Sequence, residues 1–307
     1  MCNANLCYDL IIGRKRPKMS EIGVVMLAIL KSESRLMPRV EDSVPVQADF
    51  EAMVALFGSF AGSRFSDEHQ GLMLSDVGSD AALENYALLL PGRVPDSARA
   101  IRGLVRKGLE FFAEKNRAHV WPVFPGLPEG VELELDHAGV RKAENFYGMT
   151  ADTSTVDGMR LPESPDTAVE WFADVSGARS WADATWLGFD SGEPAPDTFI
   201  CFTEQALASK DLMLIGVKAR LGPNAEEEVA ATGMLCTARN IAGIYYVATH
   251  PQYRRRGLAM RVMKELMLRA KELGHEKVCL LATPGGRPLY HRCGFHDTGI
   301  VRIRICE

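Results

Sequence analysis

The sequence predicts an α/β (α+β) chain of two domains, each a sheet flanked by helices with a βαβ unit at its centre. Three observations carry that expectation. An apolar, β-rich run, Ile241 to Ala248, meets a glycine-containing turn and a helix-patterned stretch, and a second buried run follows at Lys277 to Thr283. The same order of helix, strand and glycine-ended segment occurs earlier, between Ser97 and Val140. Between the two, Thr150 to Asp166 is polar, lacks periodicity and holds Pro162 and Pro165, which marks a linker. The expected division is an extension over 1–40, a first domain over 41–150, a linker over 151–166 and a second domain over 167–307.

Taken in order, residues 1–40 carry no chemistry. Their longest apolar run, Gly23 to Leu30, is too short to span a bilayer, which takes about 20 residues. Arg14, Lys15, Arg16 and Lys18 precede it as in an export signal, but no small-x-small cleavage site follows promptly, so a helix or an extension is expected there. Asp49 to Ala61 has apolar residues at helical spacing, with Gly62 as a stop. Tyr86 to Leu90 reads as a strand ending at Pro91-Gly92. Ser97 to Lys115 is an amphipathic helix, and His119 to Phe124 is the strand after it. In the second half Val169 to Val175 reads as a strand, and Arg179 to Phe189 and Asp197 to Leu207 as helices. Leu212 to Leu221 and Val229 to Thr237 form an antiparallel hairpin through Pro223-Asn224.

The turn Tyr253-Arg254-Arg255-Arg256-Gly257-Leu258-Ala259 breaks a local rule. The helix after it carries Val262, Met263, Leu266, Met267, Ala270 and Leu273 at helical spacing and has Gly274 as its cap. Three cations lead into its N-terminus, where the macrodipole favours negative charge by about 0.3–1 kcal/mol each. A bound anion would remove the conflict. Unpaired N–H groups, a glycine that admits close approach and the small Ala259 together suit a pyrophosphate. The earlier copy differs at this point, because Asp96 or Ser97 can cap its helix start with a side chain.

Arg254-x-x-Gly257-x-Ala259 after a strand resembles the acyl-CoA signature of the GNAT superfamily of N-acetyltransferases, and Leu289-Tyr290-His291-Arg292-Cys293-Gly294-Phe295 is similar to that family's Leu-Tyr-x-x-x-Gly-Phe ending. The resemblance covers about half the chain by motif and the N-terminal half by architecture alone. It implies two domains, each a mixed, mostly antiparallel, twisted sheet. The C-terminal one would be catalytic and the N-terminal one degenerate, a tandem layout similar to that of mycothiol synthase. It implies acetyl-CoA as co-substrate and no metal. Val247, Ala248 and Thr249 would pair with the pantetheine arm, Arg254, Arg255, Arg256, Gly257, Leu258 and Ala259 would hold the pyrophosphate, and Thr283 stands where relatives often have Asn. Tyr290 takes the position of the general acid that returns a proton to the CoA sulfur.

The base is where the sequence departs. Many relatives carry Glu where this chain has Tyr245, and no carboxylate occurs between Ile241 and Gln252. Water held by Tyr245 or Tyr246, His250, or an acceptor amine of low pKa are the alternatives. The expected activity is transfer of acetyl to a primary amine, on a small molecule or a peptide, by direct attack in a ternary complex. A non-catalytic CoA-binding regulator or scaffold is the competing reading. A net charge of −5 argues against nucleic acid and an anionic membrane as partners. Seven scattered cysteines without C-x-x-C spacing argue against disulfides and zinc and point to the cytoplasm. The histidines show no metal-ligand spacing, Glu226 to Glu228 reads as a solvated run, and a homodimer is left open.

Overall fold

The computed structural model describes residues 40–307 apart from 61, 70, 80, 162–166 and 223. Residues 1–39, with the Gly23 to Leu30 run, lie outside the described residues, as do Pro162, Pro165 and Pro223. Among the described residues no helix is long and apolar enough to cross a membrane. No group of three His, Cys, Asp or Glu among them could hold a metal, and their five cysteines are free thiols.

The chain builds α1 (Val40–Gly58), β1 (Arg64–His69), β2 (Leu72–Asp76), β3 (Tyr86–Leu89), α2 (Ala98–Ala113), β4 (His119–Val123), α3 (Gly130–His137) and β5 (Arg141–Asp152). It continues with β6 (Thr167–Phe172), α4 (Val175–Gly188), α5 (Asp197–Ala208), β7 (Leu212–Ala219), β8 (Glu228–Cys236) and β9 (Ala242–Thr249). Then come α6 (Leu258–Glu272), β10 (Lys277–Ala282), α7 (Arg287–Arg292) and β11 (His296–Cys306). The strands form one sheet in the order β1-β2-β3-β4-β11-β5-β10-β9-β8-β7-β6. Only β3 with β4 and β9 with β10 run parallel, each pair joined through a helix, so the sheet is mixed and mostly antiparallel as expected.

The two halves exchange their last strands. β5, from the first half, lies between β10 and β11, and β11, from the second half, lies between β4 and β5. Alternating residues of this sheet feed different cores. One face carries α1, α4 and α5 over a cluster drawn from both halves, in which Phe57 meets Phe202 edge-on at 4.8 Å. The other face is covered by α2 and α3 over the first half and by α6 and α7 over the second.

Three expectations need correction. α1 begins at Val40 rather than Asp49 and runs through Pro45, a residue that reads as a breaker. Ser43, Val46, Asp49, Phe50, Met53, Val54 and Phe57 are buried at helical spacing, and that burial outweighs the hydrogen bond lost at Pro45. β1, β2 and β5 lie outside the expected elements; the first is polar in sequence, the second short, and the third runs to Asp152, with a helical turn over Thr153–Gly158, into the stretch that reads as a linker. Val175 opens α4, with the Asp174 carboxylate accepting from Gly177 N–H at 2.7 Å, instead of closing the preceding strand.

Candidate functional site

β9 and β10 part almost as soon as they meet. Their parallel pairing is confined to Val278 with Ala242 and Cys279 with Gly243. Past those residues β10 keeps only its pairing with β5 on its other side, and β9 only its pairing with β8. Tyr246 has φ 53 and sits at a register shift against β8, a bulge that bends β9 further away. A wedge-shaped opening results. Val247, Ala248 and Thr249 form its β9 wall, and the hydroxyl of Thr249 is buried without a partner. That hydroxyl can give or take a hydrogen bond within the opening.

The turn after β9 ends in an uncapped helix. Arg255 and Gly257 both have left-handed backbone, φ 66 and φ 81, and Gly257 occupies the N-cap with no side-chain acceptor. The helical ladder of α6 starts with Arg261 N–H donating to Gly257 at 3.1 Å, so the donors of Leu258, Ala259 and Met260 precede it. Two of the three guanidiniums are engaged elsewhere. Arg254 donates to the carbonyls of Thr249 (3.1 Å) and Gly188 (2.9 Å) and pairs with Asp190 at 2.9 Å, which clamps the end of α4 to the exit of β9. Arg256 donates to Arg220 O at 3.0 Å and lies over the Tyr253 ring. The charge conflict read from the sequence is thus relieved for two of the three arginines, whose side chains turn to the protein and leave the main-chain donors at the start of α6 without an intrahelical acceptor. At the matching point of the first half, Ser97 Oγ accepts from Ala100 N–H at 3.2 Å and closes the helix start.

Tyr290 lies on α7, buried edge-on against Phe295. Burial, aided by the neighbouring Cys293, raises its phenol pKa, so it holds its proton through the neutral range. Gly286 makes room for the ring, since a Cβ there would lie 3.0 Å from Tyr290 Cε2. Thr283 Oγ1 accepts from Gly286 N–H at 3.1 Å and shapes the turn into α7. Gly139 and Gly294, both with positive φ, end α3 and α7 with the same bond: Val140 N–H to Leu135 O and Phe295 N–H to Tyr290 O, each 3.0 Å. Leu135 therefore stands in the first half where Tyr290 stands in the second. Beside α7 a cavity of about 260 Å³ is bordered by Met260, Arg292 and Cys293 and, from the segment after β5, by Met159 and Arg160.

Residues around the opening also make structural contacts. His250 Nδ1 accepts from Gln252 N–H at 3.4 Å within the turn that follows β9. Trp181 is buried and donates to Ile215 O and Gly233 O at 3.0 and 3.2 Å. Glu228 accepts from the Tyr253 hydroxyl at 2.6 Å, so the glutamate run is not merely solvated.

One group escaped the sequence reading. Asp49, on α1, reaches the base of the opening, where its Oδ2 accepts a short hydrogen bond from the Tyr245 hydroxyl. Gly243 leaves the space: a Cβ there would lie 2.0 Å from Asp49 Oδ2 and 2.5 Å from Tyr245 Cε2. Burial pushes the Asp49 carboxyl up to about 7, against the opposing pull of the Tyr245 and Cys279 hydrogen bonds and the Arg239 charge. A carboxylate 196 positions from its partner leaves no local signal. The bare Asp in an otherwise apolar helix face was the one available hint.

Residues 221–297 match the acetyltransferase (GNAT) domain family. Over 107 residues the chain is 32% identical to a probable glucosamine 6-phosphate N-acetyltransferase 2 of Oryza sativa subsp. japonica, a match covering 33% of this chain and 63% of the relative. The chain thus spans under two thirds of that relative's length. Among solved structures, a GCN5-related N-acetyltransferase from Kribbella flavida superposes with a TM-score of 0.57 at 17% identity, over 84% of this chain and 95% of that one. A tandem GNAT protein from the clavulanic acid biosynthesis pathway does so with 0.54 at 12% identity, over 100% of this chain and 97% of that one. These two speak for the fold alone. The parted strands, the uncapped helix and the match to a GNAT acetyltransferase domain over residues 221–297 coincide in one stretch of the chain.

Proposed function

We propose that the chain is an N-acetyltransferase that moves an acetyl group from acetyl-CoA to a primary amine by direct attack in a ternary complex. The observation that carries the reading is the parting of β9 and β10 beside the uncapped N-terminus of α6. The pyrophosphate rests on the main chain of Arg254 to Ala259, and the pantetheine arm runs along Val247 to Thr249, where the lone Thr249 hydroxyl finds a partner. Arg160 and Arg292, on the rim of the neighbouring cavity, suit the phosphorylated adenosine end.

The reaction joins the amine nitrogen to the thioester carbon and breaks the carbon–sulfur bond. Holding both substrates in line is worth about 7–11 kcal/mol. Tyr290, protonated at neutral pH, gives its proton to the departing sulfur, a contribution of about 10²–10⁴ in rate. The first half, with Ser97 filling its helix start and Leu135 in place of the acid, has neither device and serves as a partner domain. Free thiols throughout the described chain suit a reducing, cytoplasmic setting. The rice relative's name makes an amino sugar phosphate the first acceptor to try.

Calorimetric titration with acetyl-CoA, on the native chain and on Gly257→Glu, tests the donor site. Micromolar binding that the substitution abolishes supports it; no binding to either protein overturns the reading. Binding without thiol release across a broad amine panel favours a CoA-binding regulator instead.

A further inference from the structure

Asp49 and Tyr245 lie on the face of the sheet opposite Tyr290. Tyr245 packs with the cluster beneath α1, α4 and α5, whereas Tyr290 belongs to the cluster beneath α6 and α7. The opening between β9 and β10 connects the two faces, and Tyr245 lies two residues past Gly243, the last residue of β9 that pairs with β10. A donor threaded from the α6 side would present its carbonyl at this junction, with an acceptor arriving from the α1 side. The sequence has no carboxylate on β9; the first half brings one to it.

We propose that Asp49, through the Tyr245 hydroxyl, accepts the proton released by the attacking amine. The inference rests on the acyl-transfer reading. As nitrogen bonds to the carbonyl carbon, its proton passes to the Tyr245 oxygen while the Tyr245 proton passes to Asp49 Oδ2. The electron pair of the broken carbon–sulfur bond stays on sulfur, which takes the Tyr290 proton. Both groups then exchange with solvent, and the sum is amine plus thioester giving amide plus thiol.

A purely mechanical tie between α1 and β9 does not need this arrangement. Asp49 is 1% exposed and its Oδ1 is buried with no hydrogen-bond partner, so a neutral side chain would tie α1 at lower cost. The groups facing it are Tyr245 of β9, Cys279 of β10, Cys236 of β8 and Arg239 from the loop before β9. Both thiols are raised by burial and stay neutral, which leaves the carboxyl as the member of the cluster that titrates near neutral pH. Asp49 is a positioning residue in that it acts through Tyr245.

The test compares the native chain with Asp49→Asn and Tyr245→Phe. Thiol release from saturating acetyl-CoA is followed from pH 5.5 to 9, with glucosamine 6-phosphate and with benzylamine as acceptors. The acceptor titrates identically in every protein, so the ratio of native to variant kcat/KM isolates Asp49. That ratio is expected to be small at the acid end, to climb about tenfold per pH unit and to level above pH 7 at 10² or more. Calorimetry should show acetyl-CoA affinity unchanged in both variants, in contrast to Gly257→Glu, and the double variant should be no slower than either single one. A flat ratio overturns the proposal and leaves the transferase reading standing. An infrared carboxyl band, present in the native chain and absent from Asp49→Asn, decides independently of any acceptor. A midpoint between 6 and 8 supports the assignment, and one below 5 overturns it.

Discussion

Asp49→Asn should stabilise the protein in alkaline solution and leave it unchanged in acid. The reasoning is linkage. Asp49 titrates near 3.8 when exposed and near 7 in the fold, so between those values the folded chain binds a proton that the unfolded chain has released. The carboxyl's contribution to stability is whole below pH 4 and is lost progressively as pH rises to about 7. At about 1.36 kcal/mol per pH unit, the gap amounts to some 4 kcal/mol. Asparagine keeps an oxygen to accept from Tyr245 and never charges. The stability difference between variant and native chain should therefore be near zero at pH 3, about 1.6 kcal/mol at pH 5 and about 4 kcal/mol at pH 8, the last being about 8 °C in Tm at roughly 2 °C per kcal/mol for a chain of this size. Guanidinium unfolding at a series of pH values measures it directly. Parallel curves, with the same difference at pH 5 and pH 8, would refute the reasoning, because they would place the Asp49 titration outside this window.

Tyr290→Phe should lower kcat by about 10²–10⁴ while leaving acetyl-CoA affinity within twofold in calorimetry, because the ring keeps its packing on Phe295 and loses only the proton it donates. Arg304→Ala should destabilise by about 1–3 kcal/mol in denaturant. Arg304 on β11 is 1% exposed, pairs with the half-exposed Asp136 and donates to Glu132 O at 3.1 Å, so its removal leaves a void and an unpaired carbonyl between α3 and the exchanged strand.

What was legible in the sequence is what local chemistry writes. The helix of α6, its Gly257 start, its Gly274 end and the Tyr290-to-Phe295 turn all depend on neighbours within a few residues, and they lie where the pattern put them. The Ser97 cap was legible for the same reason. β1 was not, because an edge strand needs no apolar alternation once β2 supplies its hydrogen bonds. The start of α1 was hidden by Pro45, a local signal overruled by burial against strands far along the chain. Asp49 failed for a stronger reason. Its role is defined by Tyr245 and by the absence of a side chain at Gly243, and both belong to the other half.

That dependence bears on whether the second half can stand alone. A chain cut to residues 167–307 keeps the turn, the opening and Tyr290, and by motif alone it should bind acetyl-CoA. It loses β5, which pairs with β10 from Lys277 to Ala282 and with β11 from His296 to Ile305. β10 would become an open edge on the side away from β9, and β11 would lose both of its neighbours. The segment after β5 goes as well; it holds α6 through Lys264 to Met159 O at 3.0 Å and Lys271 to Asp157 at 2.7 Å. The truncated chain is therefore expected to be insoluble or aggregated by size-exclusion chromatography, and to recover acetyl-CoA binding when residues 40–160 are co-expressed as a separate chain. A monomeric fragment with native affinity would mean that the exchanged strand contributes nothing to the opening, and that the first half is held to the second only by the peptide bond between them.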